Sequence, residues 1–115
     1  MKLDVIVDEQ TIAIYVPDAM IAEAEPVFSK MDADMDRGWQ ISRHWVDNPD
    51  RDQRCKIAAD KILGALELEN REMATMMAAY ILARAPETTA VHVSTNGEIE
   101  ETLLITENHA SRAQE

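Results

Sequence analysis

The sequence predicts an α+β fold, in which a four-stranded, largely antiparallel sheet forms one layer and helices pack on one of its faces. Two observations predict this class. Apolar residues recur at every second position near both ends of the chain, and at helical spacing through its middle. A hairpin at each end and a helical centre give the element order ββ-ααα-ββ, a two-layer sandwich.

The first hairpin comes from alternating apolar residues over positions 3–7 and 12–16, joined near Glu9-Gln10. Pro17-Asp18 ends the second strand and begins a helical segment that Pro26 kinks or restarts.

An amphipathic helix follows, because Val27, Phe28, Met31 and Met35 lie at helical spacing, and it ends near Gly38. From 39 to 46 we expect one or two further helical turns, although the alternation of apolar residues there also permits a short strand.

The next helical segment runs from Pro49 to Ala85, with Asn48 as its capping residue and Pro49 in the first turn. An unbroken helix of this length would reach roughly 55 Å, far more than the radius of gyration of about 13 Å of a compact chain this long. The apolar stripe lapses around Glu69-Asn70, so a break there is favoured over a continuous helix covered by a second copy.

The apolar stretch from Met73 to Ala83 predicts a central helix surrounded by protein, since it is apolar on nearly every side. It is shorter than the roughly 20 residues that cross a bilayer. Met73, Met76 and Met77 are expected in the core, with an adaptable groove for a peptide or lipid as the alternative.

The second hairpin spans 91–105, and a three-residue loop, Thr95-Asn96-Gly97, sets His92 opposite Glu100. Residues 1–105 are thus expected to form one domain, and 106–115 a flexible C-terminal tail.

Charge and cysteine content narrow the classes of function. The chain carries 22 acidic and 11 basic residues, a net charge of −11, which disfavours nucleic acid and anionic membranes as partners. The single cysteine, Cys55, excludes an internal disulfide, and the first residues do not resemble a signal peptide, so a cytoplasmic location is expected.

A divalent-cation site is one candidate for binding chemistry. Asp32, Asp34 and Asp36 repeat the alternating acids that begin a calcium loop. The loop glycine and the final bidentate glutamate are missing, so the three acids are more typical of a solvated helix face. His44, His92 and His109 show no spacing typical of a metal site, and no cofactor is predicted.

The candidate interface residues are Arg37, Trp39, Arg43 and Trp45. Tryptophan and arginine are the residues that most often anchor protein interfaces, and residues 37–61 form a locally basic window of six basic and four acidic residues. For the two tryptophans themselves, a place in the core is favoured over an interface, because the chain has few aromatic residues. A mixed outcome, with one tryptophan buried and one in an interface, also stays open.

These observations favour a small acidic protein-interaction module of the adaptor, chaperone or inhibitor type, without enzymatic activity. Its partner is expected to be another protein or itself, because a homodimer could set the basic window of one copy against the acidic surface of the other. Two alternatives stay open: a divalent-cation-binding protein, or a small ligand carrier or enzyme with a Met-lined helical pocket.

Overall fold

A four-stranded sheet, a separate two-stranded hairpin and four helices make up the fold in the computed structural model, which describes residues 1–106. The strands are β1 (Lys2–Val7), β2 (Gln10–Tyr15), β3 (Trp39–Ile41), β4 (His44–Val46), β5 (Thr88–Val93) and β6 (Leu103–Thr106). The helices are α1 (Asp18–Glu23), α2 (Glu25–Asp36), α3 (Arg51–Glu67) and α4 (Arg71–Arg84). The α+β class is confirmed, whereas the predicted tail from residue 107 onward lies outside the described residues.

The main sheet is mixed rather than wholly antiparallel. Its strand order is β2-β1-β5-β6, with antiparallel outer pairs and a parallel central pair in which Val5 lies opposite Val91. Parallel neighbours need a long crossover, and here the chain between β2 and β5, with all four helices, provides it. The sequence predicted the two hairpins but not the parallel contact that joins them.

The core lies between one face of the sheet and the helices. Leu3 and Val5 of β1 and Val91 of β5 are fully buried and share one apolar cluster with the buried side chains of α3 and α4. The opposite face of the sheet is open, since Tyr15 and Leu103 keep 72% and 55% of their surface exposed. The helices therefore cover one face of the sheet and leave the other face to solvent.

The predicted break at Glu69-Asn70 is confirmed, and the backbone shows its cause. Glu69 takes a positive φ of 57°, and the amides of Glu69 and Asn70 donate to the carbonyls of Leu66 and Ala65. This bonding pattern is the Schellman motif that ends helices. Asn70 then caps the next helix, because its side chain accepts a hydrogen bond from the Met73 amide at 3.1 Å.

Helix α3 begins two residues later than predicted. Asp50 is the capping residue, and it exchanges hydrogen bonds with Gln53 in a capping box. Asn48 was the predicted cap, but its side chain accepts from the Arg54 guanidinium at 2.8 Å and its φ is 50°.

The central helix predicted over 73–83 is present as α4, whose buried residues include Met77, Tyr80 and Leu82. Within residues 1–106, no helix is both long enough and apolar enough to span a bilayer.

Two local predictions are wrong. Residues 39–46 form the β3–β4 hairpin rather than the expected helical turns, so the short strand that the alternation also permitted is the one present. Ser42 takes a φ of 55° that suits the two-residue turn. His92 lies opposite Leu103 rather than Glu100. The cause is the longer β5–β6 connection, in which the buried hydroxyl of Thr102 accepts from the Ser94 amide at 3.1 Å and a 3₁₀ turn, Ile99–Glu101, replaces strand pairing.

Replacing Glu69 with glycine should stabilise the protein by about 0.5–1 kcal/mol, because glycine adopts a positive φ without the steric cost of a Cβ. The matched control is Glu67→Gly, the same change in the last turn of α3, where glycine should instead cost about 0.5–1 kcal/mol. Urea unfolding of the three proteins measures both effects. Equal destabilisation by both changes would contradict this account of the break.

Candidate functional site

The β3–β4 hairpin presents its two tryptophans on opposite faces. Trp39 pairs with Val46 and Trp45 pairs with Gln40 in adjacent positions of the ladder, and side chains alternate along a strand. Trp39 is half-buried, and the Lys61 ammonium lies 5.1 Å from the centre of its ring. Trp45 is 60% exposed. One tryptophan therefore packs towards the helices and the other faces solvent.

Trp45 is exposed but held in place. Its indole N–H donates to the Asp47 carboxylate at 3.0 Å, and its ring lies directly over the backbone of Gly38. A Cβ at Gly38 would lie only 2.6 Å from the ring, and the φ of this residue is +107°. Only glycine suits both conditions, so the turn after α2 is shaped to hold an exposed indole.

Arg37 and Arg43 flank this indole in the sequence and are both exposed. Neither guanidinium lies within ion-pair distance of an acid in residues 1–106, whereas Arg51, Arg54 and Arg84 all pair with carboxylates. Residues 37–46 contain no acidic residue at all. We call Arg37, Arg43 and Trp45 the hairpin surface.

Asp32 lies at the centre of a polar cluster that joins three helices. Its carboxylate accepts hydrogen bonds from the Tyr80 hydroxyl at 2.5 Å, the Arg84 Nε at 2.9 Å and the Arg54 guanidinium at 3.4 Å. Partial burial acts to raise the pKa of Asp32, but the hydrogen bonds from Tyr80 and Arg84 outweigh it and hold this pKa below its usual value. Burial and the same carboxylate raise the pKa of Tyr80, so its hydroxyl stays a donor.

The three acids considered for a cation do not form one site: Asp32 and Asp36 both bind the Arg54 guanidinium, and Asp34 lies apart from them. Asp36 pairs with Arg54 at 2.7 Å, and Asp34 is exposed and lines a groove on another side of α2. Residues four apart share a helix face and alternate residues do not, so Asp32 and Asp36 meet at an arginine and Asp34 faces another side. In the described part of the chain, no group of three His, Cys, Asp or Glu side chains is placed to hold a metal ion.

A Met-lined groove of about 270 Å³ lies between α2 and α4 and is closed on one side by Trp39. It is lined by Val27, Met31, Asp34, Met35, Trp39, Lys61, Met73, Met76 and Met77. We call it the methionine groove. Of the three methionines that the sequence singled out, Met77 is buried, Met76 is half-buried and Met73 is 45% exposed.

The sequence did not single out Lys61 or Val27 as groove residues. The helical spacing of Val27 and Met31 marks one apolar face, and the methionines of α4 mark another. Nothing in the sequence indicates that these two faces meet.

The remaining reactive residue types lie apart from both surfaces. Cys55 is fully buried in α3, and this burial raises the pKa of its thiol to about 12, so the thiolate needed for nucleophilic attack is scarce at neutral pH. His44 and His92 are exposed strand residues. His109 lies outside the described residues.

Asp32→Asn should lower the free energy of unfolding by about 1–2 kcal/mol at pH 7, because it removes the negative charge that Arg54 and Arg84 share. Since the folded pKa of Asp32 is below its unfolded value, its contribution is present above about pH 4 and is lost as the pH falls through the folded pKa. Urea unfolding between pH 7 and pH 2 should show the difference between wild type and variant shrinking with acid.

The matched control is Asp34→Asn, two residues along the same helix, where no ion pair is lost and the change should stay within about 0.5 kcal/mol. Equal losses in the two variants would show that the Asp32 cluster has no special role.

Comparison with known proteins gives no relative from which a role can be transferred. No protein family, no curated protein and no solved structure matches this chain significantly.

Proposed function

We propose that this chain is a small protein-interaction module without enzymatic activity, which binds an acidic segment of another protein through the hairpin surface. The observation that carries the proposal is the state of Arg37 and Arg43. Both are exposed and have no acidic partner within residues 1–106, although the chain has twice as many acidic as basic residues.

Charge favours an acidic segment as the ligand of this surface. The chain has a net charge of −11, and Arg51 pairs with Glu87 at 2.6 Å. Arg37 follows Asp36 directly in the sequence and still has no acidic partner within residues 1–106. Within residues 1–106, Arg37 and Arg43 donate no side-chain hydrogen bond, and guanidinium groups bind carboxylates in a two-pronged geometry.

Trp45 supplies the apolar part of the contact. Tryptophan and arginine are the residue types most enriched among binding hot spots, and Trp45 is already fixed by Asp47 and Gly38. Little side-chain entropy is then lost when a partner covers the ring.

The test is affinity capture with wild-type protein and with Arg37→Glu/Arg43→Glu, followed by purification of the captured protein and calorimetry of the binary complex. Reversing both charges should weaken binding by about tenfold or more, because two attractive contacts become repulsive. Trp45→Ala should weaken binding while leaving the fold intact, since the ring is mostly exposed.

Lys30→Glu is the matched control, because it reverses an exposed basic residue on α2 outside the hairpin surface. It should bind as wild type does. A purified partner that binds the double variant as tightly as wild type would refute the proposal.

The methionine groove favours a second candidate function, the carriage of a small apolar anion. Its volume of about 270 Å³ lies just below the range of about 300–1,000 Å³ that is typical of ligand pockets. Its lining is apolar apart from Lys61 and Asp34. Methionine adapts to ligands of irregular shape, and Lys61 places a cation beside the groove.

Octanoate tests this function directly. In a Trp45→Phe protein, Trp39 is the remaining tryptophan and reports on the groove by its fluorescence. Octanoate should change this fluorescence at submillimolar concentration, and Lys61→Met should remove the preference for octanoate over octanol. An unchanged signal up to millimolar octanoate, or an equal effect of the control Lys30→Met, would refute the carrier function.

A further inference from the structure

Strand β2 (Gln10–Tyr15) is an unprotected edge of the main sheet. Within residues 1–106 it pairs only with β1. Its sequence, QTIAIY, contains neither proline nor a charged residue, although 29% of the chain is charged. Natural edge strands usually carry lysine, proline or a bulge that prevents further pairing. An edge without these devices can accept another strand.

The hydrogen-bonding pattern between β1 and β2 identifies which backbone groups of β2 face outward, where an added strand could bind them. Met1 and Val16 exchange both backbone hydrogen bonds, each at 2.7 Å. Bonded and non-bonded pairs alternate along an antiparallel ladder, so Ile12 and Ile14 also bond to β1. Thr11, Ala13 and Tyr15 direct their amides and carbonyls away from the sheet, and all three are exposed.

Space for an added strand lies beside this edge. A groove of about 460 Å³ runs along the second half of β2 and is bounded by Leu66 of α3 and by Arg71, Ala74 and Thr75 of α4. The side chains on the inner face of an added strand would enter this groove, where Leu66 and Ala74 offer apolar contacts.

We propose that β2 is a strand-addition site for a second copy of this chain, so that two main sheets join across a two-fold axis into one continuous sheet. The outward-facing backbone groups of β2 are centred on Ala13. An antiparallel copy therefore sets Ala13 opposite Ala13, and Thr11 of each copy opposite Tyr15 of the other. Each of these pairs exchanges two hydrogen bonds.

The side chains fit the same two-fold arrangement. In this register Ile12 of each copy lies opposite Ile14 of the other, so the half-buried Ile12 gains apolar contacts while Ile14 stays in the core of its own chain. Tyr15, 72% exposed in the single chain, is then covered by Thr11 and its neighbours. Self-complementary contacts of this kind define a two-fold interface.

Charge favours the β2 edge over other parts of the surface as the place where two copies of the chain meet. Two chains of net charge −11 repel each other, but the strand itself is neutral and the groove beside it carries a single charged residue, Arg71. Added salt screens the remaining repulsion, so dimerisation should strengthen with ionic strength.

This inference is independent of the proposed function, because β2 and the hairpin surface share no residue. The experiment combines sedimentation equilibrium with amide hydrogen exchange of wild-type protein at low micromolar and near-millimolar concentration. A dimer is expected, with the amides of Thr11, Ala13 and Tyr15 becoming protected as concentration rises.

Ala13→Glu, at an exposed position, places two like charges at the axis and should raise the dimer dissociation constant about tenfold or more. Ala22→Glu adds the same charge at an exposed position of α1 and should leave the dimer intact.

A monomer at near-millimolar concentration would overturn the proposal. So would a dimer in which the three amides exchange freely, which would place the contact elsewhere. Protection of these amides by a bound foreign peptide, with no dimer, would show a strand-addition site with a different occupant and would equally overturn it.

Discussion

The carboxylate of Asp32 is the contact on which the arrangement of the helices depends. It lies on α2 and accepts hydrogen bonds from Arg54 of α3 and from Tyr80 and Arg84 of α4. The hydrogen bonds and ion pairs of a partly buried carboxylate are costly to break, because each lost partner leaves a poorly solvated charge. The same contact links α2 to α4, the two helices that supply most of the lining of the methionine groove. It also occupies two of the arginines, whereas Arg37, Arg43 and Arg71 have no acidic partner within residues 1–106.

The parallel pairing of β1 and β5 determines which parts of the sheet stay accessible. A parallel pair requires a crossover, and all four helices and the β3–β4 hairpin lie in this one crossover. The helices pack on one face, so the opposite face receives no cover from them, and the outer edge of β2 borders a groove beside α3 and α4. The hairpin surface and the β2 edge thus both follow from this crossover. The crossover contains the β3–β4 hairpin, and it leaves β2 as an outer strand of the sheet.

Local sequence signals predicted the elements that depend on near neighbours. The helix break was predictable because Glu69 and Asn70 interrupt an apolar stripe and suit a helix end and a cap. The strand register and the long-range contacts were not predictable from local signals. Asp32 and Tyr80 are 48 positions apart, and no periodicity connects them. The composition of the hairpin predicted an interface segment, but its conformation depends on Ser42, whose positive φ has no signature in the sequence.

The division of the arginines into paired and unpaired groups is the central claim, and hydrogen exchange at their Nε atoms, measured by ¹⁵N NMR, tests it most directly. The Nε protons of Arg54 and Arg84 donate to the Pro49 carbonyl and to Asp32 at 2.7 and 2.9 Å and should exchange slowly. Those of Arg37 and Arg43 should exchange at the rate of a free arginine. Protection at Arg37 or Arg43 in the isolated protein, or free exchange at Arg54 and Arg84, would contradict the account.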